Sequence, residues 1–80
     1  MLIIGDMLGL RRKELQLTQK ELAKRTGISI VSLAKYEKNE RLPSYENLNK
    51  LAKALNLDYD EACGILAEQK KNRKERYYGN

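Results

Sequence analysis

Carboxylates, one thiol and many ammonium and guanidinium groups are the reactive material of this chain, and histidine is absent. Carboxylates catalyse where burial or a neighbour shifts their pKa, and a thiol where a base stands beside it. Neither setting is visible. Cys63, in "EACGIL", has no basic flank and reads as a small buried or half-buried residue. No Gly-rich phosphate loop occurs, and 80 residues leave little interior for a catalytic cavity. A single cysteine forms no intrachain disulfide, and without histidine it assembles no zinc site of the usual ligand count. No enzyme, cofactor or metal site is therefore expected. Anion binding is what the charges can do. Sixteen Lys and Arg stand against eleven Asp and Glu, a formal net charge of +5. From Arg11 to Arg41 nine basic residues face four acidic ones, whereas "DYDE" (Asp58 to Glu61) is acidic and "KKNRKER" (Lys70 to Arg76) basic again. An anionic partner suits this distribution; the bland alternative is a charged surface that only keeps a helical protein soluble.

The elements that hold these charges are helices. A first runs from about Gly5 to Leu15, with Ile4, Leu8 and Leu15 near one face and Arg11, Arg12 and Lys13 beside it. Thr18 then offers an N-cap hydroxyl with Glu21 three positions on, the spacing of a capping box. Leu22 and Ala23 form the apolar side of this second helix, and Gly27 suits the left-handed residue that ends it. Ser29 can cap a third helix, whose Leu33 and Tyr36 are spaced to pack inward. "EKNERLPSYENL" breaks the pattern: Asn39 tolerates left-handed angles, Pro43 prevents a helix from continuing, and Ser44 can cap the next one. A fourth helix spans about Tyr45 to Leu55, with Leu48, Leu51, Ala52 and Leu55 on one side. A fifth starts near Asp58 and buries Ala62 and Ile65 or Leu66. No strand and no internal repeat is apparent. The expectation is an all-α, compact five-helix domain over residues 1–69, continued by a basic tail over 70–80. The apolar "MLII" start is too short for a signal peptide or a membrane span, which need cores of roughly 7 to 15 and about 20 residues. A cytoplasmic protein with no membrane association is expected.

Two helices of about eight residues joined by a glycine turn are what a helix-turn-helix needs, one bracing on the phosphate backbone while the next enters the major groove. The segments "LTQKELAKRTGIS" (Leu17 to Ser29) and "LAKYEKNERLPSYENLNKLAKALNL" (Leu33 to Leu57) resemble the Cro and cI-like, XRE-type family of phage repressors and microbial regulators. That family pairs "LTQ-ELA---G-S" with "I---E-G---P----L-KLA-AL". Ile4 and Gly5, and "RKE" at Arg12 to Glu14, also suit its opening. The resemblance covers the whole five-helix region and implies a lambda-repressor-like DNA-binding fold.

It also implies roles. Gln19 resembles a glutamine that hydrogen-bonds a phosphate oxygen, with Thr18 as the cap whose exposed amides form a natural phosphate seat. Glu37 resembles a structural glutamate, and Arg12 is either its partner or a phosphate contact. Lys38 and Arg41 lie in the loop that family members lay along the backbone, with Asn39 in place of their usual glycine; Ser44 and Asn47 can add neutral donors there. Ile30, Val31, Ser32 and Lys35 fall where the family reads base edges. The first two depart from its frequent glutamine, arginine or serine. Apolar side chains can still read DNA through the thymine methyl group, while Lys35 can donate to guanine O6 or N7. Alternatively Ile30 is satellite core, or the pair belongs to a protein-binding patch, as in relatives that act as antitoxins or partner subunits. The tail can bind phosphate nonspecifically, extend the fifth helix or lie disordered, and Tyr77 and Tyr78 are assigned no base. Relatives commonly pair two domains around the fourth and fifth helices, which makes Leu57, Tyr59, Ile65 and Leu66 candidates for a homodimer contact, unless they complete the monomer core. The reading is a transcriptional regulator, a repressor on a pseudo-palindromic operator in double-stranded DNA.

Overall fold

The computed structural model describes residues 3–78, with side chains through residue 72. Five helices succeed one another: α1 (Ile4–Glu14), α2 (Gln19–Thr26), α3 (Ile30–Glu37), α4 (Tyr45–Leu55) and α5 (Tyr59–Tyr78). Among the described residues there is no strand. The fold is all-α and lambda-repressor-like. α1 packs on α3, α4 and α5, α2 on α3 and α4, and α4 on α5. Their shared interior is aliphatic. Ile4, Leu8, Leu22, Leu33, Leu48, Leu51, Leu55 and Leu66 are fully buried, and Leu17, Ile28 and Tyr36 close the edges of the cluster. Each such side chain removed from water stabilises the domain by roughly 1.5–3 kcal/mol before the entropy cost of ordering it.

Polar residues set where each helix starts and stops. Thr18 Oγ1 accepts from the Glu21 N–H at 3.0 Å, and Glu21 Oε1 accepts from the Thr18 N–H at 2.9 Å, completing the capping box. The Thr18 backbone N–H, with the Thr18 hydroxyl beside it, holds the Glu21 carboxyl below its usual pKa. Ser29 and Ser44 cap α3 and α4, each accepting from the N–H three residues on at 3.1 Å. Asp58 Oδ1 accepts from the N–H groups of Asp60 and Glu61 at the start of α5. Gly27 and Asn39 adopt φ of +75° and +62°, as their sequence positions predict.

One expected core residue is elsewhere. Leu15 is 38% exposed instead of lying beside Ile4 and Leu8. α1 stops at Glu14, and Gln16 takes a left-handed φ of +58°, so the chain reverses and Leu17 enters the core in its place. At the other end of α1, an added methyl on Gly5 would collide with the Tyr36 carbonyl oxygen and the Asn39 side chain. Glycine lets α1 approach the end of α3 this closely. α5 runs without a break across the expected 69/70 boundary, and the side chains of Tyr77 and Tyr78 lie outside the described residues.

Candidate nucleic-acid interface

α2 and α3 are joined by a turn that fixes both. The Gly27 N–H donates to Ala23 O at 2.8 Å as the chain enters the left-handed region. Thr26 Oγ1 donates to Leu22 O at 2.8 Å and accepts from the Ile28 N–H at 3.2 Å, so its hydroxyl bridges the turn. Ile28 is buried beyond it. The role of Thr26 was invisible in the sequence, where glycine was the punctuation that stood out. α3 then turns Leu33 and Tyr36 into the core. Its first turn faces the other way: Ile30 is 44% and Val31 62% exposed, so Ile30 does not serve as satellite core. Ser32 is half-buried, its N–H donating to Ser29 Oγ and its hydroxyl accepting from that of Ser29 at 2.9 Å. Lys35, on the same helix, is exposed.

Behind α3 lies an ionic joint. Arg12 Nε and Nη2 donate to the two Glu37 oxygens at 2.8 Å each, and Nη1 donates to Leu17 O at 2.7 Å. Both side chains are 11% exposed. The fork-to-fork geometry suits a guanidinium and a carboxylate, and it raises the Arg12 pKa. Burial pushes the Glu37 carboxyl up, but hydrogen bonds from Arg12 and Gln19, with the charges of Arg12 and Lys13, pull it below its ordinary value. Of the two roles open to Arg12, the structure assigns the partner of Glu37. Its guanidinium is directed inward, to both Glu37 oxygens and Leu17 O.

Gln19, the first residue of α2, joins the same cluster: its Nε2 donates to Glu37 Oε1 at 3.2 Å. An amide nitrogen carries two hydrogens, so one remains for another acceptor. This bond joins residues 18 apart in the chain, and the packing of α2 on α3 makes it. Lys38 and Arg41 are exposed in the loop after α3, above the buried Pro43. Asn39 Nδ2 donates to Asp6 Oδ1 at 3.0 Å, tying that loop to α1. Ser44 is exposed at the α4 cap, while Asn47 is half-buried and donates through Nδ2 to the Tyr36 hydroxyl at 3.0 Å. Thr18, Gln19, Lys38, Arg41 and Ser44 therefore leave groups open to solvent around the α2–α3 unit, with Asn47 set deeper.

The proposed dimer residues divide. Leu66 is 0% exposed and belongs to the monomer core, because it falls one helical turn after the equally buried Ala62 and both face the other helices. This corrects its place among the dimer candidates. Leu57, Tyr59 and Ile65 are half-buried at the edge of that core. Two contacts of α5 were not foreseen: Gln69 Oε1 accepts from the Ile4 N–H at 2.6 Å, and Lys70 Nζ stands 4.2 Å from the centre of the Tyr45 ring. Among the described residues, no helix is long and apolar enough to cross a membrane.

A family model described as helix-turn-helix matches residues 8–61. The chain is 46% identical over 61 residues to the cryptic phage CTXphi transcriptional repressor RstR of Vibrio cholerae, an alignment covering 76% of this chain and 54% of that protein. It is 38% identical over 58 residues to repressor protein C2 of Salmonella phage P22, covering 72% of this chain and 27% of that repressor. The chain thus spans less than two thirds of either relative. Its fold is similar to the crystal structure of the P22 c2 repressor in complex with synthetic operator 9T, with a TM-score of 0.72 at 35% sequence identity, covering 78% of this chain and 94% of that one.

Proposed function

The chain belongs to the Cro and cI-like, XRE-type helix-turn-helix family of DNA-binding transcriptional regulators, and from that footing we propose that it is a repressor that reads a pseudo-palindromic operator through α3. The observation that carries this reading is the exposed apolar pair Ile30 and Val31 on the first turn of α3, while Leu33 and Tyr36 of the same helix are buried. Exposed isoleucine and valine gain little from water or from phosphate. They gain from the thymine C5-methyl group, the apolar feature of the major groove. Ser32 and Lys35 add hydroxyl and ammonium donors on the same helix, Lys35 being suited to guanine. Thr18, Gln19, Lys38, Arg41, Ser44 and Asn47 supply phosphate contacts that position α3 without reading sequence. The likeness to a repressor solved on an operator supports this division of labour.

A homodimer doubles the site, presenting two α3 helices about 34 Å apart on one face of the duplex. Leu57, Tyr59 and Ile65 are its remaining contact candidates. Ile65 lines a groove with Ile3 and Gly64 beside α5, an apolar strip bordered by Asp60, Glu61, Glu68, Gln69 and Asn72.

The test begins by selecting the preferred duplex from a random library. Its thymines are then replaced by uracil at fixed salt for wild type, Ile30→Ala and Val31→Ala. Methyl readout requires a uracil penalty in wild type that shrinks in at least one variant, since one contact is not lost twice. Equal penalties in all three proteins would sink the assignment. A library that yields no preferred duplex, together with specific capture of a protein on Ile30 and Val31, would make this a protein-binding helix-turn-helix.

A further inference from the structure

Two hollows on the surface carry opposite charge, and the DNA contact proposed above uses neither. The first is the groove beside α5. Its floor is the apolar strip of Ile3, Gly64 and Ile65, and the exposed side chains of Asp60, Glu61 and Glu68 stand on its rim. Among the described residues, no Lys or Arg lines it. The second lies where the ends of α2 and α4 come together. Arg25 and Thr26 close α2, Lys50, Lys53 and Ala54 stand on the latter half of α4, and the charged groups lining the hollow between them are all positive. Glu46 reaches Lys50 only at 3.9 Å, from a side chain that is 81% exposed. Glu21, one turn before Arg25, is held by the Thr18 cap. Arg25 and Lys53 offset the negative ends of their own helices, but that role does not include Lys50 and does not require the three to converge. Arg25 follows Gln19, and Lys53 follows Ser44, by about 9 and 13 Å along their helices. The basic hollow therefore stands at the opposite end of α2 and α4 from the groups assigned to phosphate.

We propose that the two hollows are the halves of one contact between copies of this chain: the basic hollow of one molecule seats on the acidic groove of the next, head to tail. Arg25, Lys50 and Lys53 meet Asp60, Glu61 and Glu68, while the aliphatic stems of the two lysines cover the strip of Ile3 and Ile65. Neither face suits its own counterpart. Across a two-fold axis the groove would set carboxylates against carboxylates, and the hollow cations against cations, a repulsion that selects the unlike pairing. One molecule cannot join its own two faces, because the helices that carry them are fixed on a single core. The contact is therefore heterologous and propagates as an open chain or a ring. It leaves α3 uncovered and favours Leu57 and Tyr59 for the symmetric dimer. Exposed ion pairs are individually weak, so the assembly forms reversibly and responds to salt.

The contact goes beyond the DNA-binding reading and needs no DNA, so sedimentation of the full chain alone tests it. Wild type is run over a concentration series at about 0.1 M and about 1 M salt, where screening lengths are roughly 10 and 3 Å. Two charge reversals are run beside it, Lys50→Glu/Lys53→Glu in the hollow and Glu61→Lys/Glu68→Lys in the groove. All four positions are exposed, so neither variant disturbs the core. At the lower salt the wild-type mass should climb past that of a dimer as concentration rises, and at the higher salt it should fall back. Each variant alone should lose this climb, because its two faces now carry charge of the same sign. An equimolar mixture of the variants should regain it, since the unaltered groove of the first meets the unaltered hollow of the second. A wild-type mass that never passes the dimer, or that passes it equally at both salts, would overturn the proposal. So would a variant that assembles alone as wild type does, or a mixture that stays at the mass of its components. None of these outcomes touches the reading of DNA by α3, which the uracil comparison decides.

Discussion

Replacing Arg12 by methionine should be among the most destabilising single changes on the polar side of this domain. The substitution keeps most of the side-chain volume but strands Glu37, whose side chain is 11% exposed, leaving it the Gln19 amide as hydrogen-bond donor and the charge of Lys13. It also removes the donor to Leu17 O. Removing one partner of a buried pair costs about 3–5 kcal/mol; with Gln19 retained, a value near 3 kcal/mol is expected. In a domain of this size that lowers Tm by roughly 12–24 °C, at about 4–8 °C per kcal/mol. The pH dependence sharpens the test. In wild type the Glu37 pKa is depressed, so the folded state binds fewer protons there than the unfolded chain, and the stabilisation is fully present above the ordinary glutamate value of about 4.3. It is lost as pH falls through the depressed folded value. In Arg12→Met the guanidinium is gone and burial disfavours the carboxylate, so acidification neutralises the stranded charge and the gap to wild type narrows. Thermal unfolding monitored by circular dichroism from about pH 7 to pH 3 reads both effects. A loss under about 1 kcal/mol at neutral pH, the range of surface pairs, would refute the account, as would a gap independent of pH.

Gly5→Ala should destabilise by at least the 1–3 kcal/mol typical of overpacking, because its methyl meets a backbone carbonyl that cannot rotate away; denaturant unfolding measures this, and a neutral result would show that α1 can slide from α3. Lys35→Ala should relax preference among duplexes by about 1–3 kcal/mol at one position, whereas Gln19→Ala and Arg41→Ala should weaken all duplexes alike. Competition between matched and scrambled duplexes separates the two patterns, and a uniform loss from Lys35→Ala would contradict its assignment to a base.

Local chemistry in the chain determined the helices and their ends. Thr18 with Glu21, Gly27, Ser29, Asn39 and Ser44 each act within about four residues, through caps and backbone angles that need no distant partner, so their roles were legible from neighbours alone. The same holds for the apolar spacing of α4, whose observed span coincides with the expected one. Tertiary structure decided what depends on residues far apart in the chain. Arg12 lies 25 positions from Glu37, Gln69 lies 65 from Ile4, and Asn47 finds the Tyr36 hydroxyl only once the loop of residues 38–44 has brought the start of α4 beside it. Leu15 and Leu17 looked equally apolar, and the reversal at Gln16 chose between them. Leu66 and Ile65 are adjacent and both aliphatic, yet rotation of α5 against α1 and α4 buries the first and leaves the second half open. Periodicity states that a helix has an inner face, but only the neighbouring helices, by filling space to near-crystalline density, settle which side chains occupy it.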